Sequence, residues 1–514
     1  RRGEKRTKTY LRRNRKLVRQ VLTAFRRISD TLLDETLQAA EIVQRIKGSF
    51  PKDRLVELKS GAVLLDVPRS QEVLRLASNG YQTIKKYLFE FLDTLSITAF
   101  SQNDPIVNSV KKLRRLIQNR LPKPSISEIL VDTDKLVGYS QYFTRLSSGK
   151  YIQHDEKSHG QSLYAMLLAT ACNIPLSKMA ASPGMTLSVL ETIRDETLRP
   201  QTIQAATAAL VNYYSRLPLS QIWGTGETSS SDGQGIAAAG KPLGSFYNPR
   251  RFGRQRGFMI YTHIADNYAP FYTQIIPGPA YEATYVLDGL LYHGTTLLPR
   301  EHYTDSHGYT DIVFALTYLL GFRLAPRVAN IPDRTLWYAE DYPVETSVIF
   351  DNKVLTHNIS CQWESIQKMA HTIYLGRTRA SQIIRKVSSF SRTHPLFKAL
   401  RCLGRLLHTR HIFEMAGDKN FRRSILQGLN KGESKNSLTK DLRYARRGTL
   451  REKNPDILLS VASSLNLVVL CVSLWNTVHM QRIIRSLLRE GYPISREELK
   501  FLSPFTHEHI NLYG

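Results

Sequence analysis

The 514 residues carry 71 Lys and Arg against 44 Asp and Glu, a formal net charge of +27. A chain of that length exceeds what one hydrophobic core can organise, so several domains are expected; its 42% hydrophobic and 22% charged content excludes a fibrous or unfolded chain. So large a positive excess is more than solubility requires and calls for a polyanionic partner, nucleic acid before an anionic membrane surface.

The four cysteines, Cys172, Cys361, Cys402 and Cys471, are dispersed and form no C-x-x-C pair, which argues against a disulfide framework or a structural zinc site and fits a reducing, cytoplasmic compartment. The sequence opens Arg1-Arg2-Gly3 with no initiator Met or apolar leader, so a piece of a longer protein is expected.

Residues 1–27 hold 12 Lys and Arg against the single Glu4, with Leu17, Val18, Val21, Leu22 and Phe25 at helical spacing. The pattern predicts a basic amphipathic helix: Arg12 and Arg13 are candidate phosphate contacts, the alternative being a solvated charged face. A helical pattern continues to about 135, completing a basic helical region over 1–135. Over 136–220, Ser162–Thr170, Leu176–Ala180 and Ala205–Tyr214 are rich in Ala and Leu without alternation, so a helical linker region is expected.

After Trp223 short β-type runs appear between Gly and Pro. Gly257–Ile264 and Phe271–Ile276, around Asp266-Asn267, predict a hairpin. Tyr281–Tyr292 and Thr310–Leu320 predict helices, and Phe322–Arg327 a short strand ended by proline. Strands mixed with helices over about a hundred residues indicate a three-layer α/β domain. Ser365–Phe413 then holds 10 Lys and Arg and no acid, including Arg377, Arg379, Arg385 and Lys386, as a DNA channel would need. The final segment, 451–514, is helical. Its apolar run Ile457–Trp475 is broken by Ser460, Ser463, Ser464, Asn466 and Ser473, which predicts a buried helix rather than a membrane span.

Three acids stand in unusual local sequence: Asp232 in Ser229–Gln234, Asp305 in His302-Tyr303-Thr304-Asp305, and Glu433 in Leu429-Asn430-Lys431-Gly432-Glu433. Carboxylates are hard ligands suited to Mg²⁺ or Mn²⁺, and two such ions stabilise the attacking and leaving oxygens of a phosphodiester displacement. If Asp232 ends a first strand and Asp305 a later, adjacent one, both leave the same sheet edge, and a helix beginning near Lys431 brings Glu433 against them. Spacing does not decide this among 44 acids. Asp232-Gly233 is also a turn dipeptide, and Asp305 also a helix cap.

The wider sequence resembles the C-terminal half of a transposase of the replicative class II transposons, the Tn-three family. The matching stretches are Leu176–Ala180, Arg216–Leu219 leading to Trp223-Gly224, Ser229–Gln234, Tyr303–Asp311, Leu319–Arg327, Gly428–Glu433, and Leu465-Asn466-Leu467 through Trp475–Val478; they run in family order over roughly 135–514. The resemblance implies a mixed α/β fold, an RNase H-like catalytic core inside a predominantly α-helical multidomain chain. The core would take 221–330 and 425–450, be interrupted by a basic, mainly helical insertion at 331–424, and be followed by a C-terminal helical domain at 451–514. It further implies DDE chemistry, with Asp232, Asp305 and Glu433 as catalytic residues and ligands of two Mg²⁺ ions. Asp311 rivals Asp305 for the second place but is explained as the N-terminal charge of the helix it opens.

Such an enzyme would nick the 3′ ends of its transposon and transfer the freed hydroxyls to target DNA, giving a cointegrate on replication. It would work in the bacterial cytoplasm at the nucleoid, as a homodimer or higher assembly on terminal inverted repeats. The region that binds those repeats is expected to be largely missing and the extreme C-terminus clipped. A truncated copy could instead be an inactive DNA-binding remnant. A carboxylate-based glycoside hydrolase is a further alternative, but a net charge of +27 has no purpose on a neutral sugar and four Trp are few for one.

Other residues invite a role. Lys431 is the candidate phosphate contact beside the metals, or else a solvated Lys at a helix start. Gln234 would orient the loop after Asp232. His302 and His307 flank Asp305 and would contact phosphate or aid proton transfer, or are surface histidines beside a turn. His408, His411 and Cys402 cluster in sequence, but no fourth ligand has zinc spacing, which favours a basic or core role.

Overall fold

The computed structural model of the chain describes residues 105–146, 156–182, 184–276, 281–328, 334–340, 351–452 and 454–512. The helix expected within 1–27, with Arg12 and Arg13, lies outside the described residues. The chain divides into two compact units. Of the described residues, those within 105–282, 289–299 and 429–512 form one, called here the spine unit; those within 283–288 and 300–428 form the other, the basic unit.

The spine unit opens with helices α1 (Pro105–Arg120), α2 (Ile126–Val137), α3 (Glu156–Ala171), α4 (Pro200–Tyr214) and α5 (Pro218–Trp223). Their ends follow local chemistry. Ser125 and Glu128 close a capping box on α2, Gly138 ends it in the left-handed region (φ 69°), and Pro200 and Pro218 open α4 and α5. The texture change after Trp223 marks the sheet: β1 (Thr228–Ala238), β2 (Phe246–Tyr247), β3 (Arg256–Ala265) and β4 (Pro270–Ile276). The expected hairpin is present as β3 and β4. β3 is antiparallel to β1 on one side, from Ser229 opposite Ala265 to Ala238 opposite Arg256, and to β2 and β4 on the other. Every residue of β3 from Gly257 onward is buried, so β3 is covered on both faces. β1 has few β-formers; its backbone is extended because the edge of β3 supplies its hydrogen-bond partners.

The expected helix at 281–292 is a 3₁₀ turn, Glu282–Tyr285, followed by α6 (Val286–Leu291). In the basic unit, β5 (Glu301–Tyr303) leads through α7 (Asp311–Leu319) to β6 (Arg323–Leu324), which pairs with β5 in parallel, Glu301 opposite Arg323. β7 (Trp337–Ala339) and β8 (Asn352–Val354) form a second parallel pair that the sequence reading lacked. Helices α8 (Trp363–Tyr374), α9 (Ala380–Ser388) and α10 (Pro395–Gly417) carry the acid-free stretch. α7 packs on α10 at Gly404, where a Cβ would stand 1.7 Å from the Asp311 carbonyl oxygen and only glycine fits. Arg323 bridges Glu301 (2.7 Å) and Glu414 (2.9 Å) and stacks 4.2 Å from the Phe421 ring.

α11 (Lys419–Leu442) begins in the basic unit and belongs to the spine unit from Leu429 onward. The spine itself is α12 (Pro455–Arg489), followed by the short α13 (Arg496–Lys500). α12 packs against α2, α3, α4 and β4. It is the one helix among the described residues long and apolar enough to cross a membrane, yet 78% of its apolar window is buried inside the protein. Its polar residues are matched to that interior: Asn466 donates to Pro270 O (3.0 Å), Asn476 to Pro504 O and Thr506 O (2.7 Å each), and Ser473 to Val469 O (2.9 Å). The chain is therefore mixed α/β, with antiparallel strands in one unit, parallel pairs in the other, and helices predominating.

Candidate active site

Asp232 does not end β1. It is the fifth residue of the strand, paired opposite Thr262 of β3, because the ladder with β3 continues six residues further, to Ala238. Its carboxylate is held from two directions: Oδ1 accepts from the Gly233 amide (2.8 Å) and Oδ2 from the Asn436 side-chain amide (2.7 Å). Asn436 lies on α11, and its carbonyl oxygen accepts in turn from Gln234 Nε2 (3.1 Å). Gln234 thus ties β1 to the helix; it lies within the strand rather than in a loop.

α11 starts at Lys419, not near Lys431, because Asp418 caps it by accepting from the Asn420 (2.8 Å) and Phe421 (3.3 Å) amides. Glu433 is therefore a mid-helix residue. The face carrying Gly432, Lys435, Asn436 and Thr439 turns inward. A Cβ on Gly432 would stand 3.3 Å from the Asp232 Cβ, so the helix approaches β1 this closely because position 432 has no side chain. Glu433, the next residue, is exposed. The spine unit thus brings α11 at Gly432, the residue before Glu433, against Asp232.

Two lysines of α11 are drawn inward. Lys435 is 2% exposed and donates to Thr262 Oγ1 (3.0 Å), which itself bonds Thr273 Oγ1 (2.8 Å). Burial pushes its ammonium down to about 8, against the pull of the Asp232 carboxylate. Lys431, expected to be solvated at a helix start or to reach phosphate, instead donates to the Asp266 carbonyl and lies 4.7 Å from the Tyr268 ring centre. Burial pushes it down to about 8 as well, with Asp266 opposing. The Asp266 side chain accepts from Gly226 N (2.7 Å) and Thr228 N (3.2 Å), fixing the start of β1.

Asp305 belongs to the basic unit. It follows β5 in an Asx turn, with Oδ1 accepting from His307 N (2.9 Å) and Oδ2 3.3 Å from His307 Nδ1; its side chain is 43% exposed. His307 is exposed, whereas His302 is fully buried and is neither a surface histidine nor placed to meet phosphate. Asp311 opens α7 behind the Thr310 cap and lies 3.5 and 3.6 Å from Arg401 and Arg405. Burial raises its carboxyl pKa, with the two arginines opposing. His408 is stacked on Phe314 (5.2 Å) and tilted against Tyr309 (4.9 Å), and His411 donates from Nε2 to Pro326 O (2.8 Å). Burial drives their pKa values to about 3 and about 4, so both are neutral core residues. Arg377, Arg379, Arg385 and Lys386 are exposed. Among the described residues, neither unit by itself gathers three His, Cys, Asp or Glu side chains closely enough to hold a metal ion.

Sequence reasoning missed Asn436 and Lys435. The available signal was helical spacing: Asn436 stands four residues after Gly432 and Lys435 three, one face of a helix.

The profile of the Tn3 transposase DDE domain matches residues 128–514, a span that contains Asp232, Asp305 and Glu433. The chain belongs to the Tn3 transposase DDE domain family. It is similar to the transposase for transposon Tn2501 of Escherichia coli, 39% identical over 80% of this chain and 42% of that protein. Similar too are the transposase for transposon Tn501 of Pseudomonas aeruginosa (39% identical, 77% of this chain and 40% of that protein) and that for Tn1546 of Enterococcus faecium (36%, 82% and 42%). The chain thus spans about two-fifths of the length of these relatives. Proteins with the DDE transposase domain generally use divalent metal ions.

Proposed function

We propose that this chain is the catalytic part of a transposase that nicks the 3′ ends of its transposon and joins them to target DNA by replicative, cointegrate-forming transposition. In this reading Asp232, Asp305 and Glu433 are the catalytic carboxylates and hold two Mg²⁺, or Mn²⁺, ions. The RNase H-like core takes 221–330 and 425–450, with 331–424 as its insertion. The partners are terminal inverted repeats and target DNA at the bacterial nucleoid, and a second copy of the protein.

The observation that carries the assignment is the treatment of Asp232. Asp311, which opens α7, is engaged by arginines. Asp232 is oriented by the amides of Gly233 and Asn436, with the buried Lys435 ammonium acting on the same carboxylate. Amides thus aim the carboxylate, and its oxygen donors suit a hard ion such as Mg²⁺. Bound ions would stabilise the attacking and leaving oxygens of an in-line displacement at phosphorus. The chain's own residues do the positioning: Asn436 sets the carboxylate plane, Gly432 allows the helix to close, and the Lys435 ammonium offsets negative charge from below. Lys431, committed to Asp266 and Tyr268, serves packing rather than phosphate.

The test is metal-dependent nicking of an end-bearing duplex by the protein that carries this chain. Asp232→Asn, Asp305→Asn and Glu433→Gln should each lower nicking on the order of 10³-fold or more, while Asp311→Asn should keep it within about tenfold and act on stability instead. Intact nicking in Asp232→Asn would show the site to be elsewhere, and the reading of an inactive remnant predicts no nicking from the wild type.

A further inference from the structure

We infer that helix α9 of the basic unit is a docking element for duplex DNA, presenting a stripe of Gln382, Arg385, Lys386 and Ser389 outward; this rests on the DNA reading above and says where the duplex is held. The four positions follow the i, i+3, i+4, i+7 rule, one face of a helix, and all four are exposed. The opposite face is Ala380, Ser381, Ile384 and Val387, all buried. α8 is built alike, with Trp363, Ile366, Ala370 and Ile373 buried, and both helices rest on α10. The turn between them, Leu375 to Arg379, passes through Gly376 in the left-handed region (φ 66°), which glycine adopts without strain. Two helices joined by a short glycine turn, the second carrying its polar face outward, is an arrangement used to enter the major groove.

Two features distinguish this face from an ordinary solvated helix. First, the position of α9 is fixed by a buried group on another segment of the basic unit: Asp288, 1% exposed, accepts from Ser381 N (2.9 Å) and from Ser381 Oγ (2.6 Å). That carboxylate satisfies the helix N-terminus from behind, so a phosphate would be met by the outward side chains. Second, the sequence supplies no acid of its own over a long stretch: no Asp or Glu occurs from Ser365 to Phe413, although Arg401, Arg405 and Arg410 of α10 pair with Asp311 and Glu414. The acid of α8, Glu364, is paired with Lys368 (2.6 Å). Arg377 and Arg379 in the turn, and Arg392 and Lys398 beyond the helix, extend the exposed positive surface.

The chemistry selects duplex DNA over a lipid surface. Membrane-seated helices place large apolar residues beside their cations, and this stripe has none. A single helix about 10–12 Å across matches the roughly 12 Å major groove.

The experiment is fluorescence anisotropy of the protein with a labelled random-sequence duplex over a KCl series, alongside anionic phosphatidylserine vesicles. The double variant Arg385→Ala/Lys386→Ala should bind the duplex about tenfold more weakly at ~0.1 M salt, and the slope of log affinity against log salt should fall by about two. The charge-retaining pair Arg385→Lys/Lys386→Arg should keep the slope, and Arg489→Ala, an exposed cation of the spine unit, should change both little. An unchanged affinity and slope in the double variant overturns the inference, whether or not vesicle binding falls, while leaving the DNA reading in place. If the wild type binds no duplex at low salt, the DNA reading fails and this surface with it.

Discussion

Asp232 in the spine unit and Asp305 in the basic unit are positioned by opposite strategies. Asp232 sits inside a strand and is held by Asn436, 204 residues away in sequence. Asp305 sits in a turn whose contacts come from His307, two residues on. The first position exists only once α11 has closed on the sheet, whereas the second is written into four consecutive residues. The same contrast runs through the buried charges. The basic unit sets several of its charges in ion pairs, Arg323 with Glu301 and Glu414 and Asp311 with Arg401 and Arg405, while its buried Asp288 is held by Ser381. The spine unit buries Lys435 with one hydroxyl hydrogen bond and the Asp232 carboxylate for company. A buried cation so lightly matched is costly to stability, which is what a site organised for chemistry, rather than for strength, would carry.

The most damaging way to break this contrast is Gly432→Val. Branched methyls at a position where a Cβ alone would stand 3.3 Å from Asp232 force α11 off the strand. We expect a loss of about 3 kcal/mol from overpacking and no measurable nicking, read by thermal unfolding and by the end-duplex assay; near-wild-type values for both would show that α11 does not close here. A smaller effect separates the units by pH. The His411 pKa is lowered in the fold from 6.5 to about 4, so the folded protein binds fewer protons than the unfolded chain. Its contribution is complete above pH 6.5 and is lost as pH falls toward 4, about 2 kcal/mol between pH 7 and pH 5. His411→Gln, which keeps a donor for Pro326 O, should flatten that acid limb in α10 peptides followed by hydrogen exchange. An unaltered acid limb would mean that His411 is not the group responsible.

Much of the frame was legible in the sequence because it is local. Two β-type runs around Asp266-Asn267 marked the β3–β4 hairpin, serines inside the apolar run of α12 marked an interior helix, and the absence of acids marked the basic stretch. What stayed illegible depends on distant partners. β1 has a turn-like sequence and is a strand only because β3 has a free edge, so Asp232 could be placed at a strand end in error. The start of α11 was misplaced although Asp418 is an ordinary capping residue and Phe421, Ile425 and Leu429 follow it at helical spacing. Lys431 was expected to meet phosphate or solvent and Lys435 was not singled out, and nothing short of the tertiary packing of α11 shows that their ammonium groups turn inward.

The finest test of the contrast is a pair of single substitutions with equal chemistry and unequal reach. Asn436→Ala removes the amide that orients Asp232 Oδ2, a hydrogen bond to a charged acceptor of the kind that contributes about 1.5–3 kcal/mol when intact. Because Asp232 keeps its Gly233 contact, the net stability loss should be about 1 kcal/mol, while nicking should fall about 10–100-fold, the range seen when a group that orients a metal ligand is lost. His307→Ala leaves the backbone amide that bonds Asp305 Oδ1 in place, since that donor belongs to the main chain. Its imidazole is 71% exposed, and an exposed His–Asp pair contributes at most about 1 kcal/mol, so nicking should change less than about threefold. If both substitutions cost nicking equally, the two acids are held by equivalent means and the division between a folded-in and a locally written carboxylate is wrong. If Asn436→Ala alone is costly, the position of Asp232 is the part of the site that folding of the spine unit has to supply.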